Sequence, residues 1–313
     1  MQLQQVIRWL LLFQSDQGDQ AVKSCPSRRR AWLRCLQKAV PGSPWLGTPS
    51  SSTTTGALEA PEDVLDHGFI TEIPLSGGRI TSGVVRAGNT VRRPASAASG
   101  FVAELLDHLQ QRGFNGAPRH FGRDAAGRDV FSYLPGWVPA RFQRWGDAQV
   151  AAAGALLRAF HDATRGCRLT GPHSVVCHHD VGPNNTVFVD AVPVAFIDFD
   201  TAAPGDPLED LGYMCWTWCV SSKTADPTAR AQAAQVRVLA DAYGADAASR
   251  SHLVDAMLER QARNAQWWSS RLQGLSAETA EHDVISNRIL WSEQEHAYTM
   301  AHREVFSAAL QRL

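Results

Sequence analysis

Five polar residues bracket two short apolar runs in the middle of the chain. His178, Asp180 and Asn185 precede residues 187–189, and Asp198 and Asp200 close residues 194–199. Residues 190–193 are the polar break between the runs, and so short a break between two β-rich stretches is a hairpin signal. A hairpin brings its outer ends together, so Asp180, Asn185 and Asp198 can converge. A carboxylate and an amide oxygen facing a second carboxylate make a hard, oxygen-only site. Such a site suits Mg²⁺, which keeps several waters and is held by one or two carboxylates plus substrate phosphates. A further carboxylate beside it can take a proton from a substrate hydroxyl. A base, an asparagine and an aspartate around a metal are the parts that phosphoryl transfer uses.

Around these residues the order of motifs is specific. His178-x-Asp180 followed by Asn185 gives H-x-D-x-x-x-x-N; Ile197-Asp198-Phe199-Asp200 comes next, and then Gly205-Asp206-Pro207-Leu208-Glu209-Asp210-Leu211. In this order they resemble the catalytic loop, metal-binding strand and G-D-P-x-x-D-L tail of the aminoglycoside phosphotransferase family, which includes choline-kinase-like small-molecule kinases. The resemblance implies an α+β, protein-kinase-like fold of two lobes. Residues 61–136 would form a small nucleotide-binding sheet lobe with a hinge near 132–136. Residues 137–313 would form a larger, mainly helical lobe for catalysis and substrate. It also implies ATP as co-substrate, Mg²⁺ on Asn185 and Asp198, Asp180 as the base and His178 as a brace for the loop. The acceptor would be a hydroxyl of a small molecule such as an aminoglycoside, choline or a sugar.

The segments that must position these groups can be read in outline. Residues 75–79 read as a turn, and residues 81–86 and 90–93 as strands joined at Gly88-Asn89. Gly77 and Gly78 resemble the family's phosphate-approaching loop, where the lack of a Cβ lets backbone come close. The family carries a lysine on the third strand, whereas this chain has Val91-Arg92-Arg93-Pro94. Strand alternation separates the two arginines onto opposite faces. Arg93 is the expected phosphate clamp, with Arg92 as the alternative, since a guanidinium fork can hold phosphate. Residues 96–112 read as a helix capped by Ser99, with Phe101, Leu105 and Leu109 on one face. Kinases pair a helix glutamate with the strand cation, which points to Glu104 with Arg93. Residues 129–136 look like the hinge, with the Ser132 carbonyl and the Leu134 amide reading the adenine edge. His161-Asp162 reads as a packing and capping pair on a long helix over residues 150–164. Trp267, Trp268 and Trp291 fit either core or pocket wall.

Bulk properties bound the rest. A chain of 313 residues with net charge −1 can hold a sizeable core and gives no reason to expect nucleic acid as a partner. Six cysteines without a C-x-x-C pair suggest buried thiols in a reducing cytoplasm. No apolar run reaches membrane-spanning length, and the first residues lack the features of a signal peptide. Residues 1–60, Gln-rich, then basic at Arg28-Arg29-Arg30, then Ser/Thr-rich, read as a disordered or poorly packed extension. Two other functions fit parts of the pattern. The arginine in place of lysine allows a catalytically impaired nucleotide-binding module. His161-Asp162 with His179-Asp180 allows a metal-dependent phosphohydrolase, although that all-helical fold conflicts with a strand hairpin after Asp180.

Overall fold

The computed structural model describes residues 71–75, 83–139, 143–223, 227–273 and 280–311. The expectations for residues 1–60, for Gly77 and for Gly78 fall outside these residues. The fold is the expected one: a small antiparallel sheet lobe beside a mainly helical lobe.

Strands β1 (Glu72–Pro74), β2 (Val85–Ala87), β3 (Thr90–Arg93), β4 (His120–Arg123) and β5 (Asp129–Ser132) form one sheet in the order β1-β2-β3-β5-β4. The β2–β3 turn falls at Gly88-Asn89, with Gly88 at φ 59°, a left-handed value that glycine adopts without steric cost. Helix α1 (Ser99–Gln111) buries Val102, Leu105, Leu106 and Leu109, which recur at helical spacing. Ser99 does not cap α1. It is the first helical residue, and its hydroxyl donates to the buried carboxylate of Asp129 while accepting from the Ser96 amide at 2.9 Å.

The helical lobe contains α2 (Asp147–Thr164), α3 (Pro207–Cys219), α4 (Ala229–Tyr243), α5 (Ala247–Leu272), α6 (Ala280–Ala301) and α7 (Arg303–Gln311). Two strand pairs lie with them. β6 (Val175–Cys177) pairs with β9 (Ala203–Gly205), and β7 (Thr186–Val189) pairs with β8 (Val192–Phe196). The β7–β8 hairpin turns on Asp190 and Ala191, both left-handed at φ 50° and 62°, as a type I′ turn requires. The second apolar run leaves strand geometry after Phe196, because Asp198 is also left-handed at φ 65° and swings the chain out. Behind the hairpin, Trp145 stacks on Phe188 at 4.8 Å, and Trp216 stacks on Trp291 at 4.7 Å. Trp216 and Trp291 therefore belong to the core, while Trp267 is 43% exposed with Arg271 over its ring. Among the described residues no helix is long and apolar enough to cross a membrane.

The start of α3 is spelled out by its sequence. Asp206 is the N-cap and accepts the Leu208 amide at 2.9 Å, Pro207 is the first helical residue, and Glu209 returns a bond to the Asp206 amide at 3.2 Å. One residue later Asp210 is fully buried. Its two carboxylate oxygens accept the main-chain N–H groups of His178 and His179, each at 2.7 Å. His161, on α2, bonds Asp210 at 3.1 Å and the Tyr243 hydroxyl at 2.8 Å. His161 thus buttresses the 178–180 loop rather than capping its own helix, and Asp162 pairs instead with Arg158 and Arg165 at the surface. Burial works to raise the pKa of Asp210, but the His161 hydrogen bond and the neighbouring imidazoles prevail and hold it at about 2.

Helices α3 and α5 approach through Gly212. A Cβ there would lie 2.8 Å from the backbone carbon of Ala256, with no flexible side chain to yield. Gly212→Ala is expected to destabilise the fold by about 1–3 kcal/mol, read from denaturant unfolding. For Asp210, a lowered folded pKa means that its contribution is complete above the ordinary carboxylate value near pH 4. That contribution disappears as pH falls through about 2. Asp210→Asn offers one acceptor oxygen to two amides, so we expect a loss of about 2–4 kcal/mol at neutral pH. The decline between pH 4 and pH 2 should be shallower in this variant than in the wild type; equal acid slopes would show that Asp210 does not couple loop and helix.

Candidate active site

The 178–185 loop runs from the end of β6 to β7, and the residue spacing is enough to fold it back on itself. The His178 ring is wholly buried. Its Nδ1 accepts the Asp180 amide at 3.3 Å, which leaves Nε2–H to donate to the Ile197 carbonyl at 3.1 Å. The ring therefore ties the loop to the residue before Asp198 and has no free atom for chemistry. Ile197 also donates its amide to the Asn185 carbonyl at 2.9 Å. These two bonds seat the Asp198 turn against the loop that carries Asp180 and Asn185.

Asp180 is fixed on both carboxylate oxygens. Asn185 Nδ2 donates to Oδ2 at 2.7 Å and to the Asp180 carbonyl at 3.0 Å, and the Tyr213 hydroxyl donates to Oδ1 at 2.6 Å. Such a carboxylate is held in one orientation before any substrate arrives. The Asn185 side-chain oxygen faces Asn184 Nδ2 at 3.2 Å.

Strand alternation decides between the two arginines. Arg92 points to the far face, where it pairs with Glu72 at 3.4 Å and Asp124 at 3.8 Å, beside Arg128. Arg93 turns the other way and binds Asp198 at 3.1 Å and the Asp200 carboxylate. Burial pushes the pKa of Asp200 up, opposed by Arg93 and reinforced by Asp198. The expected Glu104–Arg93 pair does not form. Glu104 lies opposite the stripe by which α1 packs, is exposed, and pairs with Arg168 at 3.0 Å.

In the stretch after β5, the Ser132 amide donates to the Arg119 carbonyl and its hydroxyl accepts the Arg119 amide, each at 2.9 Å. Tyr133 bonds the Asn89 carbonyl at 2.8 Å, and the Leu134 amide has no protein acceptor among the described residues. Ser132 is therefore pinned in the sheet, and the amide two residues on is available to a ligand.

The donors at Asp198 are of the kind a divalent cation takes: two carboxylates on one short turn draw a single guanidinium between them. Three contributors escaped sequence reading. Asp210 lies in a motif that was recognised, but nothing local reveals its bond to the loop. Tyr213 follows it by three positions and so shares its helix face. Arg260, on α5, donates to the His179 carbonyl at 2.7 Å and lies 4.9 Å over the Tyr213 ring, and no local signal marks it.

Comparison with known proteins bears on the family and the fold. A curated relative, the trifolitoxin immunity protein of Rhizobium leguminosarum bv. trifolii, is 28% identical over 261 residues, 76% of this chain and 98% of that protein. The fold is similar to that of a choline/ethanolamine kinase family protein from Mesorhizobium loti, at 17% identity and TM-score 0.52, covering 90% of this chain and 99% of that one. It is also similar to spectinomycin phosphotransferase APH(9)-Ia, solved with ADP and spectinomycin, at 11% identity and TM-score 0.54, covering 75% and 93%. Residues 87–253, more than half of the chain, match the model of the phosphotransferase enzyme family, and the chain belongs to that family.

Proposed function

We propose that this protein transfers the γ-phosphoryl group of ATP to a hydroxyl of a small molecule, in the cytoplasm. The observation that carries the reading is Asp180, clamped between Tyr213 and Asn185 and joined through His178 and Ile197 to the Asp198 turn. In this reading Asp180 accepts the proton of the attacking hydroxyl at whichever carboxylate oxygen the acceptor reaches. Asn185 and Asp198 would hold Mg²⁺, which when bound neutralises phosphate oxygens. Arg93 takes the place of the family's strand lysine, and its fork can turn from the two aspartates to a phosphate. The Ser132 carbonyl and the Leu134 amide would read the adenine edge.

Aminoglycosides, choline and sugars are the acceptor classes that the family suggests. The name of the immunity relative adds a toxin as a further candidate. The phosphohydrolase alternative is set aside, because its fold is all-helical and because His161 and Asp162 make separate structural contacts here.

Asp180→Asn preserves shape and removes the base. We expect kcat for phosphoryl transfer to fall by about 10²–10⁴ with ATP affinity within a few-fold of wild type. ADP release and calorimetric titration with Mg·ATP would measure the two. Turnover at the wild-type rate would refute the role of Asp180, and nucleotide binding with no turnover in the wild type would favour an impaired nucleotide-binding module.

A further inference from the structure

We propose that Arg260 selects acceptors that carry a carboxylate or similar anionic group beside the reacting hydroxyl; this rests on the phosphotransferase reading above. Asp180 divides the site in two. Its Oδ2 faces Asn185, on the side of Asp198 and Arg93, where phosphate and metal belong in that reading. Its Oδ1 faces Tyr213, which leaves that side for the acceptor.

Arg260 stands on the acceptor side and is held in place. Nη2 donates to the His179 carbonyl at 2.7 Å, and the guanidinium covers the Tyr213 ring at 4.9 Å. It has no carboxylate partner among the described residues, and its Nε–H is buried with no acceptor. Nη1 carries no hydrogen bond and is not among the buried atoms. Two other arginines of α5 have carboxylate partners: Arg250 pairs with Asp241 at 2.7 Å, and Arg263 pairs with Glu209 at 2.8 Å and with Glu259.

A half-buried cation without a counter-ion is unfavourable, and an arriving anion relieves it. The planar fork matches a carboxylate in particular. A cationic acceptor such as choline or an aminoglycoside would instead meet like charge next to the base.

The test uses the full chain with Mg·ATP and acceptors in matched sets: glycerate, glycerol and 3-amino-1,2-propanediol; glucuronate, glucose and glucosamine; N-acetylserine, N-acetylserinamide and serinamide. ADP release and phosphorylated product are both measured. We expect the anionic member of a set to lead in kcat/KM by about tenfold or more, and Arg260→Gln to raise its KM by about tenfold. The same variant should leave kcat and the KM for ATP within about threefold, and Arg260→Lys should recover part of the acceptor KM, which a misfolded protein would not do.

A neutral or cationic leader would overturn the assignment while leaving the phosphotransferase reading intact. So would an Arg260→Gln effect confined to kcat or to the KM for ATP, which would mean that Arg260 balances Asp180 or touches the nucleotide. Transfer to water that depends on Asp180, with every anionic acceptor refused, would also overturn it alone. If no acceptor is phosphorylated and ADP release is the same with and without Asp180, the phosphotransferase reading falls and the assignment falls with it.

Discussion

Two main-chain amides, of His178 and His179, converge on one buried carboxylate, and the geometry of the site follows from that convergence. His179 is left-handed at φ 63°, a conformation a non-glycine residue keeps when its surroundings impose it. Asp210 does so from below, His161 holds Asp210, and Tyr243 holds His161. The chain of bonds crosses from the loop through α3 and α2 to α4, with Asp210 and His161 at its centre fully buried. The residue after this anchored pair is Asp180, whose carboxylate is then trimmed from two sides by Tyr213 and Asn185.

What was legible in the sequence was whatever is local. Asp180 and Asn185 lie five residues apart on one loop, so their spacing alone forecasts their bond, while Asp198 is tied to that loop through the main chain of Ile197. The alternation of β3 separates Arg92 from Arg93, and the structure places the second on Asp198 and Asp200. The turn at Asp190-Ala191 and the capped start of α3 were likewise written in short runs of residues. Glu104 failed for a reason of rotation. A family pattern placed it on the right helix, but the apolar stripe that packs α1 turns residue 104 outward. Ser99 failed because a serine near a helix start has two uses, and a buried aspartate within reach took its hydroxyl.

Tyr213 and Arg260 were out of reach for a different reason. They lie on helices that cross in space while being separated along the chain by α4, and no periodicity records which residues face each other at a crossing. Their positions follow from how closely α3 and α5 approach, and that approach is visible only once the helices are packed.

That approach is set by backbone. At Gly212 the α3 main chain meets the backbone of Ala256 without an intervening side chain, one residue before Tyr213 and four before Arg260. A seam of this kind has no compressible layer, so the two helices cannot slide or spread by small steps as a contact lined with leucines can. The backbones that carry Tyr213 and Arg260 are thereby held at one separation, like the arms of a calliper. Descendants of this sequence would change what they grip by exchanging the jaws, residue for residue, rather than by reopening the hinge between the arms.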